Sequence, residues 1–250
     1  PPSIDESPAG PTRVPCVACN RQVKFGSLLA RARAWDAAAV ATGHYARITC
    51  DPASGRRLLW RGRDARKDQS DFLWPLTQAQ LEAARFPVGE LTKDDVRAKA
   101  RALGLPTADT PESQEICFIP DHDYRGFLRR RRPEAFQGGP IVDGQGRELG
   151  RHAGLADFTV GQRRGLGLAA GRALYVTALD PARNAVVVGG ADELEADWLW
   201  AEQVNLISVS RLDSPVAVEA KIRHSQMPVA AVLHPPELGA DGALGAEVRF

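Results

Sequence analysis

The 250 residues carry 44% hydrophobic and 25% charged side chains, the composition of an ordinary globular chain with enough apolar material for more than one core. Lys and Arg total 32 against 31 Asp and Glu, so the net charge of +1 excludes any argument for a partner from bulk charge. Cys16, Cys19, Cys50 and Cys117 are too sparse for a secreted disulfide framework, and no apolar run is long enough to span a bilayer; both point to a reducing, soluble compartment, the cytoplasm.

Residues 1–15 are proline-rich and read as a loop. Cys16-Val17-Ala18-Cys19 is a CxxC, and Val23, Leu28, Leu29, Ala32 and Trp35 approximate a helical stripe from Arg21 to Asp36. A helix following Cys19 would favour a thiolate there through its N-terminal dipole. Ala37 to Ala41 suits a buried strand, and it leads to Thr42-Gly43-His44-Tyr45. A helix feeding such a strand is a unit of an open parallel sheet, whose ligands sit beyond the carboxyl ends of strands, where His44 falls. Residues 45–49 and 57–60 flank Asp51-Pro52-Ala53-Ser54-Gly55 as a hairpin. Lys67-Asp68-Gln69-Ser70 is a polar loop whose Asp68 and Gln69 suit either a ligand contact or a cap on the next turn. Thr77 and Thr92 are helix caps, and Gly104 is a stop.

A Pro/Thr/Asp/Ser loop then delivers Cys117, set between a polar turn and Phe118-Ile119. Residues 121–132 read as a helix ended by Pro133. Beyond Gly138-Gly139-Pro140 the pattern changes to short strands and turns, with a turn at Asp143-Gly144, a pair at 174–179 and 185–188, and further strands at 203–208, 216–223 and 229–233. Within it, Thr159 to Gly167 sets three glycines around Arg163 and Arg164, a flexible cationic loop suited to phosphate. Arginine also clusters at Arg56, Arg57, Arg61, Arg63 and Arg66 with Lys67, and at Arg125 with Arg129 to Arg132; each cluster is either a solvated face or a phosphate-contacting patch.

The CxxC alone leaves three readings open: half a zinc site, a redox dithiol, or two unrelated thiols. Zinc lacks further ligands at a suitable spacing, so no metal site is expected. His44 is equally a loop histidine bonded to its own backbone or a ligand contact.

Six blocks in order resemble the tRNA-specific 2-thiouridylases: Pro15-Cys16-Val17-Ala18-Cys19-Asn20 with Lys24-Phe25; Ala41 to Arg47; Lys67-Asp68-Gln69-Ser70; Phe86 to Leu91; Ser113 to Ile119; and Phe158 to Gly167. The resemblance implies an α/β plus β fold: the remainder of a Rossmann-like ATP-pyrophosphatase domain at 1–75, a small, mostly helical central domain at 76–137 and a C-terminal β-barrel at 138–250. It implies ATP-dependent 2-thiolation of the wobble uridine of tRNA by sulfurtransfer. Cys117 would carry a persulfide received from a donor protein, and Cys19 would be its partner, able to pair with it as a disulfide. Gly43 and His44 would lie near the nucleotide, with Mg2+ accompanying ATP. Lys67, Asp68, Gln69, Gln162, Arg163, Arg164, Arg129 and Arg130 would meet tRNA. A monomer without membrane contact is expected.

The sequence departs from that pattern in places. The family's Ser-Gly-Gly-x-Asp-Ser phosphate loop does not precede Cys19, Val14 stands where asparagine is usual, and Asp71 where an aromatic is usual. Some members carry aspartate where Cys16 stands. Met227 is the sole methionine and Glu247 to Phe250 reads as mid-strand, so a piece of a longer protein is expected; without the phosphate loop that piece is expected to be inactive in thiolation by itself. Two other readings stand beside this one: a non-catalytic RNA-binding module, and a redox protein using Cys16 and Cys19.

Overall fold

The computed structural model describes residues 15–110, 119, 123–131, 133–168, 170–222, 226–239 and 243–250. Two compact units emerge: residues 16–112 together with 197–250, and residues 1–15 together with 113–196.

The first unit begins with a continuous helical run: α1 (Pro15–Ala18), a π-helical stretch (Cys19–Leu28) and α2 (Leu29–Ala34). The wider turn shows in Ser27, whose hydroxyl donates to the carbonyl of Gln22 five residues back at 3.1 Å. Gly26 eases it, because a Cβ there would sit 3.0 Å from the Arg21 carbonyl. Phe25, Leu29 and Ala32 form the buried face. Asp36, at φ 61, closes the run, with the Ala37 amide donating back to Ala32 at 3.0 Å. That closure shortens the expected strand at 37–41. Only β1 (Val40–Ala41) pairs, parallel to β4 (Ala84–Arg85).

Between them lies the expected hairpin, β2 (Ala46–Cys50) against β3 (Arg57–Arg61). Its turn is held by the Asp51 carboxylate, which accepts from the amides of Ala53 and Ser54, and by Gly55 at φ 71. α3 (Gln78–Ala83) and α4 (Lys93–Ala102) each start with a reciprocal capping box, Thr77 with Gln80 and Thr92 with Asp95, and Gly104 at φ 66 follows α4. Phe25, Leu29, Leu73, Leu76, Leu81 and Ala84 make the core.

The second unit holds α5 (Tyr124–Arg131) and a four-stranded sheet in the order β6-β5-β8-β7, from β5 (Gly139–Asp143), β6 (Glu148–His152), β7 (Tyr175–Asp180) and β8 (Ala185–Gly189). Ile141, Val176, Val186 and Val188 are its fully buried centre. Asn184, at φ 49, is the left-handed residue in the β7–β8 turn, and its carbonyl accepts from His152 at 3.0 Å.

β9 (Trp198–Ala201), β10 (Val216–Ala220), β11 (Val229–Leu233), β12 (Glu237–Leu238) and β13 (Leu244–Arg249) return to the first unit as a separate sheet, ordered β10-β11-β13-β12 with β9 on β13. The strand expected at 203–208 does not form. Gln203 turns left-handed at φ 54, and the segment then docks by side chain and carbonyl instead of by ladder. Asn205 donates to the carbonyls of Trp74 and Leu76, while the Leu206 and Ile207 carbonyls accept from Arg56. The architecture is therefore α/β plus β.

Candidate functional site

Cys16 and Cys19 lie three residues apart on the first unit's opening helix, which puts them on one face. Cys19 is a half-buried reduced thiol, not bridged to Cys16. The helical run already includes Pro15, so Cys19 stands a turn inside it; the dipole argument, which acts over the first turn, does not carry to this position. Cys19 is instead the first residue of the π-helical stretch, a departure from regular geometry that is frequent at functional sites. Cys117 lies outside the described residues. Asn20, next to Cys19, is 2% exposed; its amide donates to the Phe72 carbonyl at 3.0 Å, while its Oδ1 is buried with no hydrogen-bond partner among the described residues.

Three residues beyond β1, His44 is buried against the rings of Phe25 and Phe86, with centroids at 6.2 and 5.6 Å, and the two phenyl rings meet each other at 5.9 Å. Burial, reinforced by the neighbouring Lys24 ammonium, lowers its pKa from 6.5 to about 4, so the ring is neutral at physiological pH. A neutral ring fixes the hydrogen bonding. Nε2, 3.4 Å from Lys24 Nζ, accepts from the ammonium, and Nδ1–H donates to Thr42 Oγ1 at 2.7 Å. His44 is thus bonded to two side chains, not to its own backbone. Lys24 is five residues from Cys19, one turn along a helix with i to i+5 bonding, so the ammonium and the thiol belong to successive turns of one face. Gly43 leaves open space: a Cβ there would meet nothing within 4 Å.

The Lys67–Ser70 loop is anchored to this corner. Asp68 accepts from the Gly62 amide at 2.9 Å and from the amide and hydroxyl of Ser70, so its carboxylate is occupied in shaping the turn. Gln69 accepts from the Tyr45 amide and returns a bond to the Tyr45 carbonyl. The Lys67 amide donates to the Asp64 carbonyl at 3.0 Å. Asp64 is buried. Its pKa is held below the usual carboxylate range, first by the Lys93 amide at the start of α4 and then by the Arg66 amide and guanidinium.

Much of the first arginine cluster is bound internally: Arg56 to the Leu206 and Ile207 carbonyls, Arg57 to Glu82, Arg63 to the Glu90 carbonyl and Arg66 to Asp64. The solvated-face reading is closer than a phosphate patch, though the partners are protein groups, not water. In the second unit, Arg129 pairs with Asp157 at 3.4 Å and lies over the Phe136 ring. Arg129 and Arg130 also sit in the last turn of α5, where cations complement the helix dipole.

In the glycine loop, Gln162 turns inward. Its Oε1 accepts from the Thr159 amide at 3.1 Å, its Nε2 donates to the Arg164 carbonyl at 2.9 Å, and its backbone pairs with Val176. Arg163 and Arg164 are exposed.

Sequence reasoning assigns no role to Lys24, Thr42 or Arg172. Lys24 carries a usable signal: in a chain that prefers arginine, lysine occurs only at 24, 67, 93, 99 and 221, and Lys24 is the one beside the CxxC. Thr42 and Arg172 carry none.

Comparison with known proteins fits this architecture. Residues 2–121 match the model of a tRNA methyl transferase HUP domain and residues 125–190 that of a tRNA methyl transferase PRC-barrel domain, which makes the chain an α/β HUP segment followed by a β domain of PRC-barrel type. It is 52% identical over 233 residues to a tRNA-specific 2-thiouridylase MnmA of Heliobacterium modesticaldum, covering 93% of this chain and 60% of that protein. Identity is 50% over 226 residues to a namesake of Moorella thermoacetica, at 90% and 63% coverage, and 48% over 248 residues to one of Roseiflexus castenholzii, at 94% and 67%. The chain belongs to the tRNA-specific 2-thiouridylase family. It spans about 60% of the length of the Heliobacterium relative.

Proposed function

We propose that this chain is part of an enzyme that replaces the C2 oxygen of the tRNA wobble uridine with sulfur, using Cys117 as the sulfur-carrying thiol and Cys19 as its partner. The observation that carries the reading is the helix-borne Cys19 on the same face as a lysine held by a buried neutral histidine, within a chain about half identical to enzymes named for this activity.

The chemistry suits these groups. The C2 oxygen is a poor leaving group, and ATP supplies its activation by adenylation. A persulfide on Cys117 then attacks C2, the activated oxygen leaves with its electron pair, and the base is joined to Cys117 through two sulfurs. The Cys19 thiolate attacks the Cys117 sulfur and breaks the S–S bond. The outer sulfur stays on C2 as the thiocarbonyl, and a Cys19–Cys117 disulfide remains. Two electrons from a thiol reductant restore both cysteines, and a persulfide donor protein reloads Cys117.

Gly43 and Lys24 suit the nucleotide: open space over a glycine and an ammonium, both near the carboxyl end of β1. His44 acts through Lys24. Mg2+ would arrive with the nucleotide phosphates, since no cluster of three or more metal-ligating side chains occurs among the described residues. Lys67, Arg129, Arg130, Arg163 and Arg164 would meet tRNA phosphates. Asp68 and Gln162 shape the loops that present their neighbours, and Gln69 would offer its amide N–H groups to the target base. A base must leave its stack to reach a reacting thiol, which is why grip on the flanking backbone matters.

The test is mass spectrometry of wobble uridine in cells whose only copy of the full-length gene encodes wild type, Cys19→Ser or Cys117→Ser. Loss of 2-thiouridine in both variants is expected. Retention in both would assign the chain to RNA binding without catalysis. Reversible Cys16–Cys19 oxidation without tRNA affinity would assign it to redox chemistry.

A further inference from the structure

The glycine loop of the second unit borders a groove of about 680 Å3 that the sequence did not reveal, within the roughly 300–1,000 Å3 span of small-ligand sites. Leu166 and Leu174, both buried, anchor its floor in the core. Arg163 and Arg172 both line it. The remaining lining is glycine backbone and aliphatic carbon, with no carboxylate, side-chain amide or aromatic ring among the described residues.

Like Arg164 beside them, these two arginines differ from four others of this unit that are held by carboxylates. Arg129 pairs with Asp157, Arg147 with Asp143, Arg151 with Glu148 and Arg183 with Asp180, whereas Arg163 and Arg172 are exposed and have no carboxylate partner among the described residues. The loop that presents Arg163 is already shaped, by both ends of the Gln162 side chain and by paired bonds between its backbone and Val176 at 2.7 and 2.9 Å. Gly165, Gly167 and Gly171 all have positive φ and no Cβ, so a ligand can approach the main chain closely.

We propose that this groove is a phosphodiester site that grips the RNA backbone between Arg163 and Arg172 without reading the bases. The inference rests on the tRNA reading above and deepens it. The lining sets the ligand class. Two unpaired guanidiniums in an acid-free groove select an anion, and their planar forks match phosphate oxygens. With no aromatic surface there is no platform for stacking a base, and with no side-chain amide or carboxylate there is little to read a base edge.

The experiment is fluorescence anisotropy of a fluorescein-labelled RNA hairpin with the 250-residue chain, in KCl from 50 to 200 mM. Arg163→Gln/Arg172→Gln should weaken binding at least ~10-fold at the lowest salt. It should also flatten the plot of log K against log salt by about 0.7–0.9 for each phosphate no longer gripped, equally for hairpins of different loop sequence. The double lysine variant should keep most of the salt slope, and Arg183→Gln, whose arginine is already paired, should behave as wild type. Unchanged affinity and slope in the double glutamine variant would overturn the site, as would a loss confined to one loop sequence. Displacement of the RNA by submillimolar inorganic phosphate would reassign the groove to a free oxyanion. If the wild-type chain binds no hairpin at all, the tRNA reading fails with it; if it binds and the double variant binds equally, the groove alone fails.

Discussion

Gln69 and Tyr45 are tied to each other twice: the Tyr45 amide donates to Gln69 Oε1 at 3.1 Å and the Gln69 amide donates to the Tyr45 carbonyl at 2.9 Å. The side-chain oxygen is thus structural, and only the amide nitrogen remains for a substrate. Two substitutions separate these roles. Gln69→Ala should destabilise the fold by about 1–2 kcal/mol, because the Tyr45 amide loses its acceptor. Gln69→Glu keeps an acceptor and should melt near wild type, yet on the base contact proposed above, 2-thiouridine formation by the full-length protein should fall at least tenfold because the N–H donors are gone. Thermal melts beside nucleoside mass spectrometry read both. Full activity in Gln69→Glu would remove Gln69 from the base contact.

The buried His44 makes stability depend on acid. Its pKa is about 4 when folded against 6.5 for the ordinary group, so between those values the unfolded chain holds a proton that the folded chain does not. The stabilisation is complete above pH 6.5 and is lost as pH falls towards 4, by up to about 3 kcal/mol. His44→Gln should flatten that part of the profile. Urea unfolding at pH 7 and pH 4.5 checks this, the wild type losing more than the variant; parallel profiles would show that His44 is not held neutral.

The elements legible in the sequence are those fixed by local rules. Thr77 and Thr92 each precede a residue that can return the capping bond, and both boxes form. The hairpin around Asp51–Gly55 and the β7–β8 pair follow from turn residues between β-forming runs. What stays hidden depends on groups far apart in the chain. No periodicity shows that helix bonding widens at Cys19, or that the arginines near residue 60 meet partners as distant as Ile207. The placing of His44 beyond β1 is legible from the parallel-sheet rule, whereas its bond to Lys24 is not, because it spans two separate elements.

Gly89 gives the Phe86–Leu91 block a physical reason. A Cβ at this position would collide with the Ala46 carbonyl, where the segment crosses the start of β2, and the Gly89 carbonyl accepts from the Arg63 amide at 2.9 Å. Gly89→Ala should therefore cost about 1–3 kcal/mol through overpacking. Gly104→Ala, at a left-handed helix end with open space around it, should cost only about 1 kcal/mol. Chemical denaturation of both variants orders the two effects, and an equal cost would show that the crossing at Ala46 relaxes freely.

The segment 203–208 acts as a strap where a strand was expected. Asn205 donates from one amide nitrogen to the carbonyls of Trp74 and Leu76, at 2.6 and 3.1 Å, over a separation of about 130 residues. Arg56 and Gln78 bind the Ile207 carbonyl, and the Ile207 side chain packs on the Phe25 core. These contacts fasten the returning sheet to residues 16–112, within one unit. Asn205→Ala removes two bonds and leaves the Trp74 and Leu76 carbonyls short of a donor, a loss of about 1–3 kcal/mol. Because the strap is long-range, the loss should appear as earlier hydrogen exchange across β9 to β13, while α5 and β5 to β8, in the other unit, exchange as before. Uniform loss of protection in both units would mean that they unfold together, and that Asn205 guards the whole chain instead of one sheet.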